Sequence, residues 1–148
     1  WAKVQTSEEQ GVHCWGEAIS FEFALQVTQP HESLCFSFQI MNEFQQPVCI
    51  FWNFDRQLPF RREAGLFILR CEIPKFRLYM GLYTLTTWFS ERRGSNLLEN
   101  VRNICPFEVT MHGIEREEYP WQSDECVYLE DAIWHAVPSE KVLTEKFN

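Results

Sequence analysis

Positive charge is scarce in this 148-residue chain: 13 Lys and Arg stand against 21 Asp and Glu, a formal net charge of −8. A surface of that sign repels phosphodiester backbones and anionic bilayers, which are gripped by clusters of Lys and Arg, so nucleic acid is not expected as a partner. The basic pairs that do occur, Arg61–Arg62 and Arg92–Arg93, sit in polar stretches that read as solvated loops. Long apolar runs are missing too. Nothing approaches the roughly 18 consecutive apolar residues of a membrane helix, and no signal peptide is expected. Neither a Walker motif nor Gly-x-Gly-x-x-Gly occurs, so the chain is not expected to bind ATP or a dinucleotide itself. His13–Cys14 has no CxxC or HxxxH beside it, and His112 and His135 stand alone, so neither a metal nor any other cofactor is expected.

Helical periodicity over 11 or more residues is absent as well, and period-2 alternation takes its place. Residues 19–27 set Phe21, Phe23, Leu25 and Val27 against Glu22, Ala24 and Gln26. Next, Leu34, Phe36, Phe38 and Ile40 oppose Cys35, Ser37 and Gln39. Residues 48–55 place Val48, Ile50, Trp52 and Phe54 on one face, read as the inner one, and Phe51, Asn53 and Asp55 on the other. A further strand is expected over 65–73, then a crossing segment over 74–81. Two last strands follow, in which Tyr83, Leu85, Thr87 and Phe89 oppose Thr84, Thr86 and Trp88, and Cys105, Phe107 and Val109 share a face. Short strands at intervals of 8–15 residues, with turn residues between them, predict an all-β chain: an immunoglobulin-like antiparallel β-sandwich with a C-terminal extension strand. Residues 1–16 read as a linker or N-terminal edge and 17–112 as the sandwich. Residues 113–148 read as an acidic linker followed by strand-like Val127–Leu129 and Ala132–Ala136.

One such sandwich fits the length, and 13 Phe with six Trp supply a thick core with aromatics to spare for recognition. The six Cys are widely and irregularly spaced, three of them inside expected strands, and read as reduced, core-packed thiols of a cytosolic protein. The absence of any Asn-x-Ser/Thr acceptor agrees with that compartment. A chain opening at Trp1 without Met is expected to be a piece of something longer.

No nucleophile with an adjacent base is legible. Paired carboxylates for glycoside hydrolysis could be built from Glu22, Asp55, Glu72 and Glu108, which as outer-face residues are more simply solvated. The chain is therefore not expected to be an enzyme. What stands out is a polar-aromatic stripe. In an immunoglobulin-like order the third, sixth and seventh strands are neighbours. Their outer faces would carry Phe51 and Asn53, then Thr84, Thr86 and Trp88, then Glu108, with Arg70 joining from an edge strand. Such a mixture suits a saccharide, whose C–H face lies on an aromatic ring and whose hydroxyls take paired donors and acceptors. The alternative for Trp88 is burial under the final segment or a partner chain. Trp52 reads by its phase as core, while Trp121 and Trp134 read as anchors of the terminal segment or of a dimer seam.

The order of elements resembles one family. Ile73, Pro74, Phe76, Leu78, Gly81, Tyr83 and Leu85, then Phe107 and Val109, then an acidic linker and Val127, Leu129 and Trp134, look like the C-terminal carbohydrate-binding domain of the ATP-binding subunit of bacterial O-antigen polysaccharide ABC exporters. The likeness covers nearly all of residues 19–136. It implies non-catalytic binding of finished O-antigen polysaccharide, through its non-reducing end, to couple the glycan to export. As partners it implies the glycan, an ATPase domain preceding Trp1, a transmembrane subunit, and a second copy of the chain with the terminal strand exchanged. It also implies a cytoplasmic location at the inner face of the inner membrane. Two departures stand out: Trp52–Gln57 lacks an Asp-Gly turn, and the loop 56–64 is unusually basic. The overall negative charge suggests a neutral glycan. A protein-interaction sandwich of fibronectin-like type is the alternative function.

Overall fold

A computed structural model describes residues 1–53, 55–91 and 95–138. The Arg92–Arg93 pair and Phe54 lie outside the described residues. The alternating runs become strands in chain order: β1 (Ala2–Gln5), β2 (Val12–Cys14), β3 (Ile19–Val27), β4 (Cys35–Asn42), β5 (Pro47–Trp52), β6 (Gly65–Ile73), β7 (Gly81–Glu91) and β8 (Asn96–Thr110). They form two sheets, β1-β3-β6 and β2-β8-β7-β4-β5, antiparallel throughout except for β2, which runs parallel to β8. Residues 1–16 thus contribute one edge strand to each sheet. β5 and β7 are not neighbours as the immunoglobulin-like order predicts, because β4 lies between them. The hairpin β4–β5 turns tightly at Gln45, in the left-handed region (φ 60°), and so pairs β5 with its immediate predecessor.

Between the sheets lies a core of Phe side chains from alternate positions. Phe21 sits 5.1 Å from Phe38, and Phe23 sits 4.8 Å from both Phe36 and Phe38, ring centroid to ring centroid. Fully burying one such ring contributes about 1.5–3 kcal/mol, before the ring–ring term. Tyr83 stacks on Phe107 and donates its hydroxyl hydrogen to the Tyr79 carbonyl at 2.7 Å; burial pushes its pKa up to about 12. A second, smaller cluster of Val27, Leu34 and Phe60 anchors the loop between β5 and β6. All six cysteines are free thiols. No helix among the described residues is long and apolar enough to cross a membrane.

β8 owes its 15-residue length to bulges. Between Ile104, opposite Leu85, and Val101, opposite Thr87, it holds two residues against one on β7. A second bulge sets residues 105 and 106 against Thr84, and one residue in each bulge lies in the left-handed region, Asn103 (φ 56°) and Cys105 (φ 51°). Past β8 the chain runs back over the sandwich in extended form. Val127–Leu129 pairs with Arg77–Tyr79 through Tyr79 N–H to the Val127 carbonyl (2.9 Å), Leu129 N–H to the Arg77 carbonyl (3.1 Å) and a bridge of Leu78 with Tyr128. A polar clasp secures the return. Arg116 meets Glu125 at 2.6 Å and lies 4.7 Å over the Trp121 ring, and the Tyr79 hydroxyl donates to Glu125 at 2.9 Å. Those two hydrogen bonds hold the Glu125 pKa below the usual carboxylate value. Ala132–Ala136 pairs with no strand among the described residues.

Candidate functional site

Opposed residues on antiparallel strands project to the same side, so the register defines rows across the outer face of the five-stranded sheet. One row reads Trp52, Ser37, Trp88, Asn100. The next reads Ile50, Gln39, Thr86, and Met41 pairs Thr84 beyond it. Two tryptophans therefore flank one small side chain, with their Cα atoms about 10 Å apart, two strand spacings. Ser37 is only 4% exposed, as befits a floor between two indoles. Trp88 belongs to the outer face and is partly exposed, while its neighbours Tyr83 and Leu85 point into the core. Asn100 donates from Nδ2 to the Thr87 carbonyl (2.8 Å) and accepts from Arg102 Nε (2.8 Å), which fixes a guanidinium near the Trp88 row.

The phase of β5 is the reverse of that expected. Phe51 faces inward, stacked 4.8 Å from Phe38 against the core, whereas Trp52 (40% exposed) and Ile50 face outward. The reason is sequence-local. Apolar residues occupy both faces of Val48–Trp52, so alternation alone carries no sign. Pairing with β4 decides: Phe51 lies opposite Phe38, whose ring is committed to the core.

The other expected site residues divide between places. Thr84 and Thr86 share the outer face with Trp88, but Thr86 is buried there. Glu108, beside Leu82, stands on the same face toward its other end and lines a cavity of about 480 Å³ with Thr84, Asn42, Glu43 and Gln45. From Trp88 to Leu82 the strip measures about 20 Å at strand rise. Arg70 is elsewhere. It lies on the outer face of the three-stranded sheet, bridged to Glu22 at 2.5 Å and to Glu72 at 3.7 Å. It reaches Phe51, Trp52 and Asn53 only around the open edge between β5 and β6, where all four line a cleft of about 500 Å³. The candidate hydrolytic carboxylates do not assemble: Glu22 and Glu72 share Arg70, Glu108 belongs to the other sheet, and Asp55 caps the Gln57 N–H at 2.8 Å. Among the described residues no three His, Cys, Asp or Glu side chains are grouped to hold a metal ion.

Sequence reasoning left out Trp52, Ser37, Gln39, Asn100 and Arg102. Ser37 and Gln39 had a signal, since both oppose the Phe36–Phe38–Ile40 face. Asn100 and Arg102 had none, because the bulges of β8 break the alternation that would have phased them.

Fold and face together define a two-sheet β-sandwich whose five-stranded sheet carries aromatic and polar side chains in register on its outer side. The chain belongs to the Wzt C-terminal domain family, whose model matches residues 5–119, and so to the family its motifs resemble. Among solved structures it resembles the C-terminal domain of Wzt, with a TM-score of 0.66 at 11% identity, over 91% of this chain and 81% of that one. That likeness establishes the fold. The Pseudomonas fluorescens alkylpurine DNA glycosylase AlkC, in complex with DNA containing an abasic site analog, also matches, at 17% identity over 73% of this chain and 28% of that one. Its TM-score of 0.44 supports no inference. No curated protein matches the chain.

Proposed function

We propose that this chain is a non-catalytic module that binds polysaccharide on the outer face of the five-stranded sheet. The observation that carries the reading is the row Trp52–Ser37–Trp88: two ring systems on either side of a small floor, with Gln39 in the next row and Asn100 opposite Trp88, where it accepts a hydrogen bond from Arg102. A pyranose ring set against an indole buries its C–H face, and its hydroxyls then meet amide and guanidinium groups at the rim. The strip continues past Thr86 and Thr84 to Glu108, long enough for several saccharide units. Membership of the Wzt C-terminal domain family supports O-antigen polysaccharide as the ligand and the ATP-binding subunit of an ABC exporter as the parent protein. In that setting the module selects finished glycan by affinity, through contacts weak enough to release the chain for transport. An ATPase domain, a transmembrane subunit and a second copy of the chain are the partners this reading assigns, at the cytoplasmic face of the inner membrane.

The test is titration of O-antigen oligosaccharides against the wild type and Trp88→Ala, followed by calorimetry. Loss of the stacking surface is expected to weaken binding about tenfold, or about 1.4 kcal/mol, with unfolding unchanged. Equal affinity in the variant would remove Trp88 from the site, and no saccharide binding by the wild type would overturn the glycan reading. The exposed Leu66 and Ile68, on the outer face of the three-stranded sheet, favour a second reading as a protein-docking module. That reading expects their replacement by Ser, and not Trp88→Ala, to abolish partner binding.

A further inference from the structure

On a chain of net charge −8, three arginines converge where the outer face ends. Arg56, Arg61 and Arg62 line a recess of about 740 Å³ whose wall includes Trp52, Asn53 and Cys35. Trp52 belongs to the saccharide row, and Cys35 lies one row beyond it, paired with Ser90. The recess is therefore continuous with the strip proposed to hold glycan.

Its loop holds two of those charges, Arg61 and Arg62, in place. Phe60, fully buried with Val27 and Leu34, pins the backbone. Arg61 donates from Nε to the Leu34 carbonyl at 2.7 Å, and Arg62 donates to Gln57 Oε1 at 2.6 Å. Elsewhere Arg70, Arg77 and Arg116 are each matched by a carboxylate within 4 Å, and Arg102 donates to the Asn100 amide. Among the described residues Arg56, Arg61 and Arg62 are in no such pair. One carboxylate, Glu32, shares the recess, which leaves three guanidinium charges against one negative charge. Guanidinium groups gathered in a concave site and left without a protein anion suit an external carboxylate or phosphate, which they grip through paired, charge-assisted hydrogen bonds.

We propose that the Arg56–Arg61–Arg62 recess binds an acidic group of the glycan, a sugar carboxylate or phosphate ester, while the adjoining sugar ring lies on Trp52. This inference rests on the glycan reading above and narrows its substrate class. Local charge, not the net charge of the chain, sets the preference, so the neutral glycan suggested by the overall balance gives way to an acidic one.

The experiment follows backbone and Arg Nε–H resonances of the whole chain during titration with glucuronate-terminated and phosphate-terminated oligosaccharides and their uncharged counterparts. Inorganic phosphate and phosphatidylglycerol vesicles are run in parallel. Both acidic oligosaccharides, or one of them, are expected to bind at least about tenfold more tightly than the uncharged form and to shift Arg56, Arg61 and Arg62. The double variant R56Q/R62Q is expected to lose that preference while keeping its affinity for the uncharged oligosaccharide. Arg61 is spared because its bond to Leu34 supports the fold. Equal binding of charged and uncharged forms would overturn the inference and leave the glycan reading standing. Absence of binding by every oligosaccharide would overturn both. Capture of vesicles through the same arginines, without an acidic-sugar preference, would assign the recess to a membrane surface and overturn the inference.

Discussion

At the scale of single residues, burial and exposure assign different work to side chains that look alike in sequence. His13 is an incidental neighbour of Cys14 when read along the chain, yet its ring is fully buried, edge-on to Phe76 at 5.5 Å. Its Nδ1 accepts the Ser7 N–H at 3.1 Å, so the neutral ring carries its proton on Nε2. Burial lowers its pKa below the ordinary 6.5, outweighing Glu17, whose backbone and charge act the other way. The sign follows from linkage. Above 6.5 both the folded and unfolded chains hold a neutral ring, and the full stability is present. As pH falls below 6.5 the unfolded chain takes up the proton first, and stability drains until the folded pKa is passed. The slope from this one group is at most about 1.4 kcal/mol per pH unit. Urea unfolding at pH 7.5, 6.5 and 5.5 is expected to show a larger acid loss for the wild type than for His13→Asn, which keeps an acceptor for Ser7 but does not titrate. Parallel curves would show that His13 is not the group responsible. Nothing in the sequence announces this role, because a lone His beside a Cys carries no information about the strand that will cover it.

Elements were far more legible than the residues they display. β3 runs over 19–27, the span that alternation marks, since it has a single apolar face and strong turn signals at its ends; β6 runs over 65–73, the strand expected there, although Leu66 and Ile68 give it apolar side chains on its outer face as well. β1 and β2 are too short and mixed to show a period, and only their partners β3 and β8 make strands of them. β5 is the instructive failure. With Cys49, Phe51 and Val48 set beside Ile50 and Trp52, either phase satisfies the local pattern, and the aromatic destined for the core was exchanged with the one destined for the surface. Paired variants separate the two roles. Phe51→Ala removes a ring stacked on Phe38 and is expected to cost about 2 kcal/mol of stability, less than a deep-core Phe because β5 is an edge strand. Trp52→Ala is expected to leave the denaturation midpoint nearly unchanged and to weaken saccharide binding several-fold. Thermal melts alongside glycan titrations read both, and the opposite pattern would restore the sequence-based phase.

For the molecule as a whole, the unanswered question of packing lies beyond β8. The chain from 113 to 131 is tied down by the Arg116–Glu125 clasp, by Val127–Leu129 pairing with Arg77–Tyr79, and by Arg77 with Glu130 at 2.9 Å and Lys75 with Asp131 at 3.3 Å. Immediately past those ties come Ile133, Trp134 and Val137, with Trp134 92% exposed. Covering such side chains would recover about 25 cal/mol for every Å² of apolar surface removed from water. A second copy of the chain is the cover proposed with the glycan function, and it would present the same groups in return, as a two-fold contact demands. Trp121 behaves differently. Its Nε1–H reaches the Ile114 carbonyl at 2.9 Å and its ring packs on Tyr79, so it anchors the returning segment within one chain. The expected result is therefore asymmetric between the two tryptophans. Ile133→Ser with Trp134→Ser should convert a dimer to a monomer in sedimentation equilibrium without moving the thermal midpoint, whereas Trp121→Ala should lower the midpoint and loosen residues 113–129 to protease. A wild-type chain that sediments as a monomer at every concentration would overturn the dimer and leave the sandwich, its tryptophan row and its arginine recess to act one chain at a time.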